Sequence, residues 1–201
     1  MAERRIGAAS SASRAKLVRA AEALLISEGY AAVTSRKVAA AADLKPQLVH
    51  YYFRSMDDLY IEVFRWRAEQ ALEHLDEVLS SPTPLTDLWR FSNDPNWIAL
   101  SVEFTALANH RKNIRSEIAR YAELFRERQM EVMASALDRV GFDRDEISPM
   151  IALVLMNALS RILAMEAGLG VESGHAETQE WVAGWLRKIE PGGAEQRVEP
   201  G

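Results

Sequence analysis

The residues with the most chemistry to offer lie between Thr34 and Met56, TSRKVAAAADLKPQLVHYYFRSM. Four Arg or Lys stand there against a single acid, Asp43, together with Gln, His, Thr, Ser and two Tyr. Arg and Lys donate well to guanine edges and Gln pairs with adenine, so this is a set suited to a DNA groove. The candidates for base edges are Arg36, Lys45, Gln47, His50 and Tyr51, with Pro46 on the same face; Thr34, Ser35, Tyr52 and Arg54 are candidates for phosphate. Phosphate contacts fix register and carry no sequence information, whereas base-edge contacts specify. For any one of these side chains, plain solvent exposure is the alternative.

The spacing also predicts the elements that hold them. Thr34 is placed to cap a short helix over Ser35–Ala42, because its hydroxyl can accept from an unpaired N–H in the first turn. Asp43 and Leu44 break the run with a turn residue and an apolar plug. Pro46 then suits the first turn of a second helix, where its missing N–H had no partner. On that helix Val49 and Phe53 fall four apart and face inward, leaving Pro46, Gln47, His50, Tyr51 and Arg54 outward. Ser55 with Asp58 forms a capping-box-like start for the next helix, Asp replacing the usual Glu or Gln.

AADLKPQLVHYYF, preceded by TSRKVA and followed by RSMDDL, resembles the DNA-binding signature of the TetR/AcrR family of bacterial transcription regulators, over roughly residues 14–64. The resemblance implies a three-helix head on an all-helical body, dimerisation, and control of DNA binding by a small molecule. Three positions depart from the usual pattern: Asp43 stands where Gly is common, Gln47 where a small residue is frequent, and Met56 where a Lys often touches phosphate. Asp visits left-handed backbone at modest cost, so the first change is tolerable. The last removes one expected phosphate contact.

Charge is distributed as a groove-binding head would require. The chain of 201 residues carries −5 overall, yet residues 1–56 hold nine Arg/Lys against four Asp/Glu and residues 57–201 hold fifteen against twenty-five. A basic head on an acidic body is the footprint of one end meeting phosphates. The absence of cysteine excludes disulfides and thiolate chemistry. The basic N-terminus lacks the apolar stretch of a signal peptide, and the longest apolar run, Ile151–Leu159, is half a membrane span, so a cytoplasmic protein without a membrane partner is expected. There is no Gly-rich phosphate loop, nucleophile elbow or Glu-x-x-His pair, and the four histidines are scattered; no enzyme, metal or cofactor is expected.

The apolar periodicity predicts an all-α chain. A basic arm over residues 1–12, expected to be flexible, carries Arg4 and Arg5 and precedes a head over 13–56; the first helix, capped by Ser13 or a neighbouring Ser, closes at Gly29. Its Arg14, Lys16 and Arg19 face outward, toward phosphate or solvent. Residues 57–190 form a helical effector-binding and dimerisation domain, and 191–201 a disordered tail. A long helix from Ser55 to about Leu79 enters this domain and stops before Pro82. Further helices are expected over Leu85–Phe91, Asn96–His110, Ile114–Val140, Pro149–Leu169 and Glu177–Ile189. The Pro149–Leu169 helix is apolar nearly all round, which predicts burial of most of its surface. Pairing of the last two helices with those of a second copy would supply that burial, giving a two-fold dimer and a palindromic operator.

For the effector, Trp89, Trp97, Phe104, Phe125, Met133 and Met156 offer apolar, adaptable walls, with Asn157 and Arg161 as polar groups on the same apolar helix. Each aromatic or Met at helical spacing is more often a plain core residue, and Arg161 calls for a carboxylate such as Glu103, a partner across a dimer interface, or an anionic ligand group. Together these features point to a ligand-responsive DNA-binding regulator, most simply a repressor. An effector-independent DNA-binding protein and a helical enzyme or carrier on the same fold are the rivals.

Overall fold

In a computed structural model, residues 12–139, 141 and 147–190 are described. Among them the regular structure is all helical, in the order α1 (Ala12–Glu28), α2 (Ser35–Ala41), α3 (Pro46–Tyr52), α4 (Met56–Leu79), α5 (Pro84–Ser92), α6 (Pro95–His110), α7 (Lys112–Arg139), α8 (Pro149–Gly168) and α9 (His175–Ile189). The all-α expectation holds. A single 3-10 turn, Tyr30–Ala32, joins α1 to α2. Ser13 lies inside α1, which includes Ala12, and the neighbouring Ser10 and Ser11 lie outside the described residues. Arg4, Arg5 and the tail from Pro191 lie outside the described residues.

The described residues fall into two compact units, one within residues 1–70 and 99–121 and one within residues 71–98 and 122–201. In the first, Leu17, Val18, Ala21 and Leu25 of α1, Val38 and Ala39 of α2, Val49 of α3 and Leu59 and Val63 of α4 are buried. The start of α4 is fixed by a reciprocal capping box: Asp58 N–H donates to Ser55 Oγ and Ser55 N–H to Asp58 Oδ2, each at 3.2 Å. Tyr60 Oη lies 3.2 Å from the carbonyl of Tyr30 and 3.3 Å from that of Val33, pinning the segment that leads into α2. Burial pushes the Tyr60 phenol up, which keeps its proton available for that bond. Edge-to-face contacts of Phe64 with Phe104 (5.1 Å) and Tyr121 (5.5 Å) tie α4 to α6 and α7.

In the second unit Leu85, Met133, Leu137, Leu153, Val182, Leu186 and Ile189 share one aliphatic core, with Trp89, Met130 and Met156 packed against it. Thr83 makes no side-chain cap at the start of α5. Glu190 supplies one from the far end of the chain, accepting from Leu85 N (2.8 Å), Thr86 N (2.9 Å) and Thr86 Oγ1 (2.9 Å). A buried carboxylate is tolerable there because three donors replace its water and Arg139 stands 3.7 Å away.

Helix α8 is covered on one side only within the single chain. Only Ala152, Leu153, Ser160 and Leu163 are buried, and Met150, Ile151, Val154, Leu155, Ile162 and Met165 are 40–58% exposed. This chain covers only one side of the helix, and that inward face even includes a polar residue, Ser160, whose hydroxyl donates to the carbonyl of Ser92 at 2.7 Å. Trp181 on α9 is exposed as well, while Val182, Leu186 and Ile189 turn inward. By length and composition α8 is apolar enough to cross a membrane, though Asn157, Ser160 and Arg161 interrupt its middle.

Glu117 on α7 sits between two guanidinium groups, accepting from Arg65 Nε and from Arg120, each at 2.7 Å. The Arg65 bond, aided by Arg120, holds its carboxyl down at about 2 against the opposing pull of desolvation. A depressed carboxylate stabilises the fold above its unfolded value near 4.5 and loses that contribution as pH falls toward 2. Glu117→Gln is therefore expected to flatten the loss of urea stability between pH 5 and about pH 3 relative to the parent, an effect read from denaturation midpoints across that range.

Candidate nucleic-acid interface

The α2–α3 pair is built from its turn outward. Helix α2 starts with Thr34 as cap, its hydroxyl oxygen accepting from Lys37 N at 3.2 Å. It ends in a Schellman-type closure: Leu44 N–H donates to Ala39 O (2.9 Å) and Asp43 N–H to Ala40 O (3.1 Å). That closure requires a left-handed residue, and Asp43 supplies it at φ 54°, the only non-glycine with positive φ among the described residues. Lys45, in extended conformation, then leads into α3 with Pro46 at its first turn.

Val49 and Phe53 are buried, and α3 consequently turns Pro46, Gln47, His50 and Tyr51 to solvent, with Arg54 exposed just beyond its end. Lys45, Arg36 and Thr34 are exposed as well; Ser35 and Tyr52 are half-buried, Tyr52 meeting the ring of Tyr51 edge-on at 5.0 Å. All ten residues expected at a DNA surface thus lie on or next to two short helices, and α3 itself contains no acid. Among the described residues, Arg36, Lys45, Gln47, His50 and Arg54 make no salt bridge that would hold them back from a ligand. Lys37 differs, being paired with Glu28 at 2.6 Å. Arg14, expected on the outward face of α1, instead pairs with Glu62 at 2.5 Å and lies over the Phe53 ring at 5.3 Å, while Lys16 and Arg19 remain exposed.

Several residues that fix this head carry no local sequence signal. Glu103 does not pair with Arg161; its Oε2 accepts the Tyr30 backbone N–H at 2.7 Å, beside Gly29. Asp57 is bound by Arg111 and by Asn113 (3.3 Å), and the Arg111 guanidinium lies 5.5 Å from the Tyr60 ring centre. Each of these contacts joins residues more than forty apart in the chain, which helical periodicity cannot reveal.

The residues expected to meet an effector divide. Trp97 and Phe125 are half-buried with ring centres 5.8 Å apart, and Phe91 joins Phe125 at 6.4 Å and His74 at 5.8 Å. Asn157 reaches this neighbourhood through Ser92, whose Oγ is 3.5 Å from Asn157 Oδ1. Met133 is deep in the aliphatic core, with Trp89 and Met156 at its edge. Phe104 is not brought to these rings but buried against Phe64 in the first unit. Arg161 is exposed, on the stripe of α8 that carries Val154 and Met165.

A DNA-binding transcription regulator of helix-turn-helix type is the class that this fold and head define. Residues 17–63 match the family model of bacterial regulatory proteins, tetR family, and this head belongs to that family. The whole chain shares the all-α architecture of TetR-family structures. It is similar to a TetR transcription regulator from Haloarcula marismortui (TM-score 0.71, 16% identity, covering 89% of this chain and 97% of that one). It is also similar to the fatty acid degradation regulator FadR from Bacillus halodurans (0.63, 12%, 94% and 100%). A third similar structure is the multidrug binding protein EbrR solved with imidazole (0.60, 19%, 94% and 100%). None of the curated proteins matches the sequence significantly.

The left-handed Asp43 makes the turn testable. Asp43→Gly should preserve or slightly raise the melting temperature, whereas Asp43→Val, with a β-branched side chain at φ 54°, should cost about 1–2 kcal/mol. Equal stability of the two variants would show that the turn adapts.

Proposed function

We propose that the chain is a ligand-responsive transcription regulator, a repressor released from a palindromic operator by a small apolar or amphipathic effector. The observation that carries this is the acid-free outer face of α3, presented to solvent because Val49 and Phe53 are buried behind it. Functionally, residues 13–56 are the DNA-binding domain and 57–190 the effector and dimerisation domain. In this account Lys45, Gln47, His50, Tyr51 and Arg36 read base edges; Thr34, Ser35, Tyr52 and Arg54 hold phosphates, with Pro46 setting the approach of the helix.

The exposed apolar side of α8, with Trp181 of α9, supports a homodimer in which these helices form a four-helix bundle with a second copy. Arg161 lies on that side and is assigned to the dimer face. A two-fold axis would set the recognition helices about 34–36 Å apart, one turn of DNA, or a multiple of it. The half-buried rings of Trp97 and Phe125 support an effector site, as does the similarity to a protein solved with imidazole. The continuous helix α4 is the natural carrier of the signal to the head. Moving a two-state equilibrium from 1:99 to 99:1 would need about 5.5 kcal/mol of differential affinity. Action on DNA places the protein in the cytoplasm.

Three results are expected. Lys45→Ala and Gln47→Ala should each relax sequence preference at one operator position per half-site, by about 1–3 kcal/mol. Arg54→Ala should weaken binding to all sequences alike and lower the salt slope by about one, both read from binding isotherms in a salt series. Unchanged specificity in both of the first two variants would remove α3 as the reading element. Leu155→Glu, from the exposed side of α8, should shift the protein from dimer to monomer in analytical ultracentrifugation; a persistent dimer would place the interface elsewhere.

A further inference from the structure

The amide oxygen of Gln129 is the one buried side-chain oxygen or nitrogen among the described residues with no hydrogen-bond partner. The residue is only 4% exposed. Buried polar groups are otherwise nearly always partnered, because leaving one unpaired costs the desolvation of that group. On α7 it stands one turn from Phe125 and one turn from Met133, so the three share a helix face. The Phe125 ring reaches those of Phe91 and Trp97, all half-buried, while Met133 belongs to the aliphatic core. Gln129 thus occupies the seam between an accessible ring cluster and a sealed core. A second amide, Asn157, meets Ser92, the residue after Phe91, through a contact that at 3.5 Å is long for a hydrogen bond.

We propose that this seam binds a small ring-bearing molecule through a neutral N–H or O–H that donates to Gln129 Oε1, with the ring packed among Phe91, Trp97 and Phe125. This deepens the effector assignment made above and rests on it. The chemistry sets the class of ligand. A pure hydrocarbon would seal the amide oxygen away unpaired, whereas a molecule with one donor would pair it. A neutral donor is sufficient, because the amide oxygen needs one hydrogen bond and no counter-charge. Sites built to hydrogen-bond a ligand group reject the analogue that lacks it, because the site's own polar atom is left unpaired.

Indole and N-methylindole share a ring system and differ in that one donor. Calorimetric titration of the full chain should show indole binding roughly tenfold tighter than N-methylindole. In Gln129→Met, which keeps side-chain length and apolar volume but removes the acceptor, the two should bind within about twofold of each other, with the melting temperature unchanged or raised. Equal affinities in the unmodified protein, binding of neither compound up to millimolar concentration, or discrimination that survives in Gln129→Met would overturn the proposal. The comparison in the unmodified protein stands even where the variant fails to fold. No DNA enters the measurement, so failure here leaves operator binding untouched, and absence of operator binding beside intact donor discrimination would strike only the regulatory role.

Discussion

A helix of seven residues does not stand alone in water. Nucleating it fixes several backbone torsions for each hydrogen bond gained, and isolated helices below about twelve residues are marginal. Helix α3 has that length, so its outward face exists only because Val49 and Phe53 are anchored from behind. The rest of the first unit serves this anchorage. Arg14 lies over Phe53 while paired with Glu62, and Tyr60 holds the carbonyls of Tyr30 and Val33. The Asp43 closure sets the direction in which α3 leaves α2. Gln47, His50 and Arg54 are exposed on the outer face, so packing within the unit leaves their types free.

The second unit meets a different constraint, which is too much apolar surface for one chain. Its core is closed by aliphatic packing and by Glu190, a charge retained in the interior because it ends three otherwise unpaired donors at the start of α5. What remains outside is the length of α8, from Met150 to Met165. Exposed apolar area on that scale marks an interaction surface in a folded protein.

Much of this was legible in the sequence, for identifiable reasons. Helix ends were readable wherever a cap or breaker is local: Thr34 before α2, Pro46 at the start of α3, Ser55 with Asp58 at α4 and Gly29 after α1. The faces of α2 and α3 followed from spacing alone. Contacts that join distant segments were not readable, as Glu103 to Tyr30, Asp57 to Arg111 and Glu190 to Thr86 show, because side-chain pairing across more than forty residues leaves no periodic trace. For α8, hydropathy reports the need for cover but not which chain provides it, and the single chain covers one side only. The aromatic residues were grouped by type, and only coordinates separate Phe104, which packs on Phe64, from the Trp97 and Phe125 pair.

Footprinting on the DNA upstream of the protein's own coding region, repeated across a salt series, addresses most directly whether the outer face of α3 reads a duplex. Two protected half-sites of inverted sequence, centred one helical turn or a multiple of it apart, with affinity falling steeply as salt rises, are the result expected of a two-fold pair of such helices. Weak protection spread evenly along the duplex at every salt concentration, on this and on randomised DNA alike, would contradict sequence reading by α3.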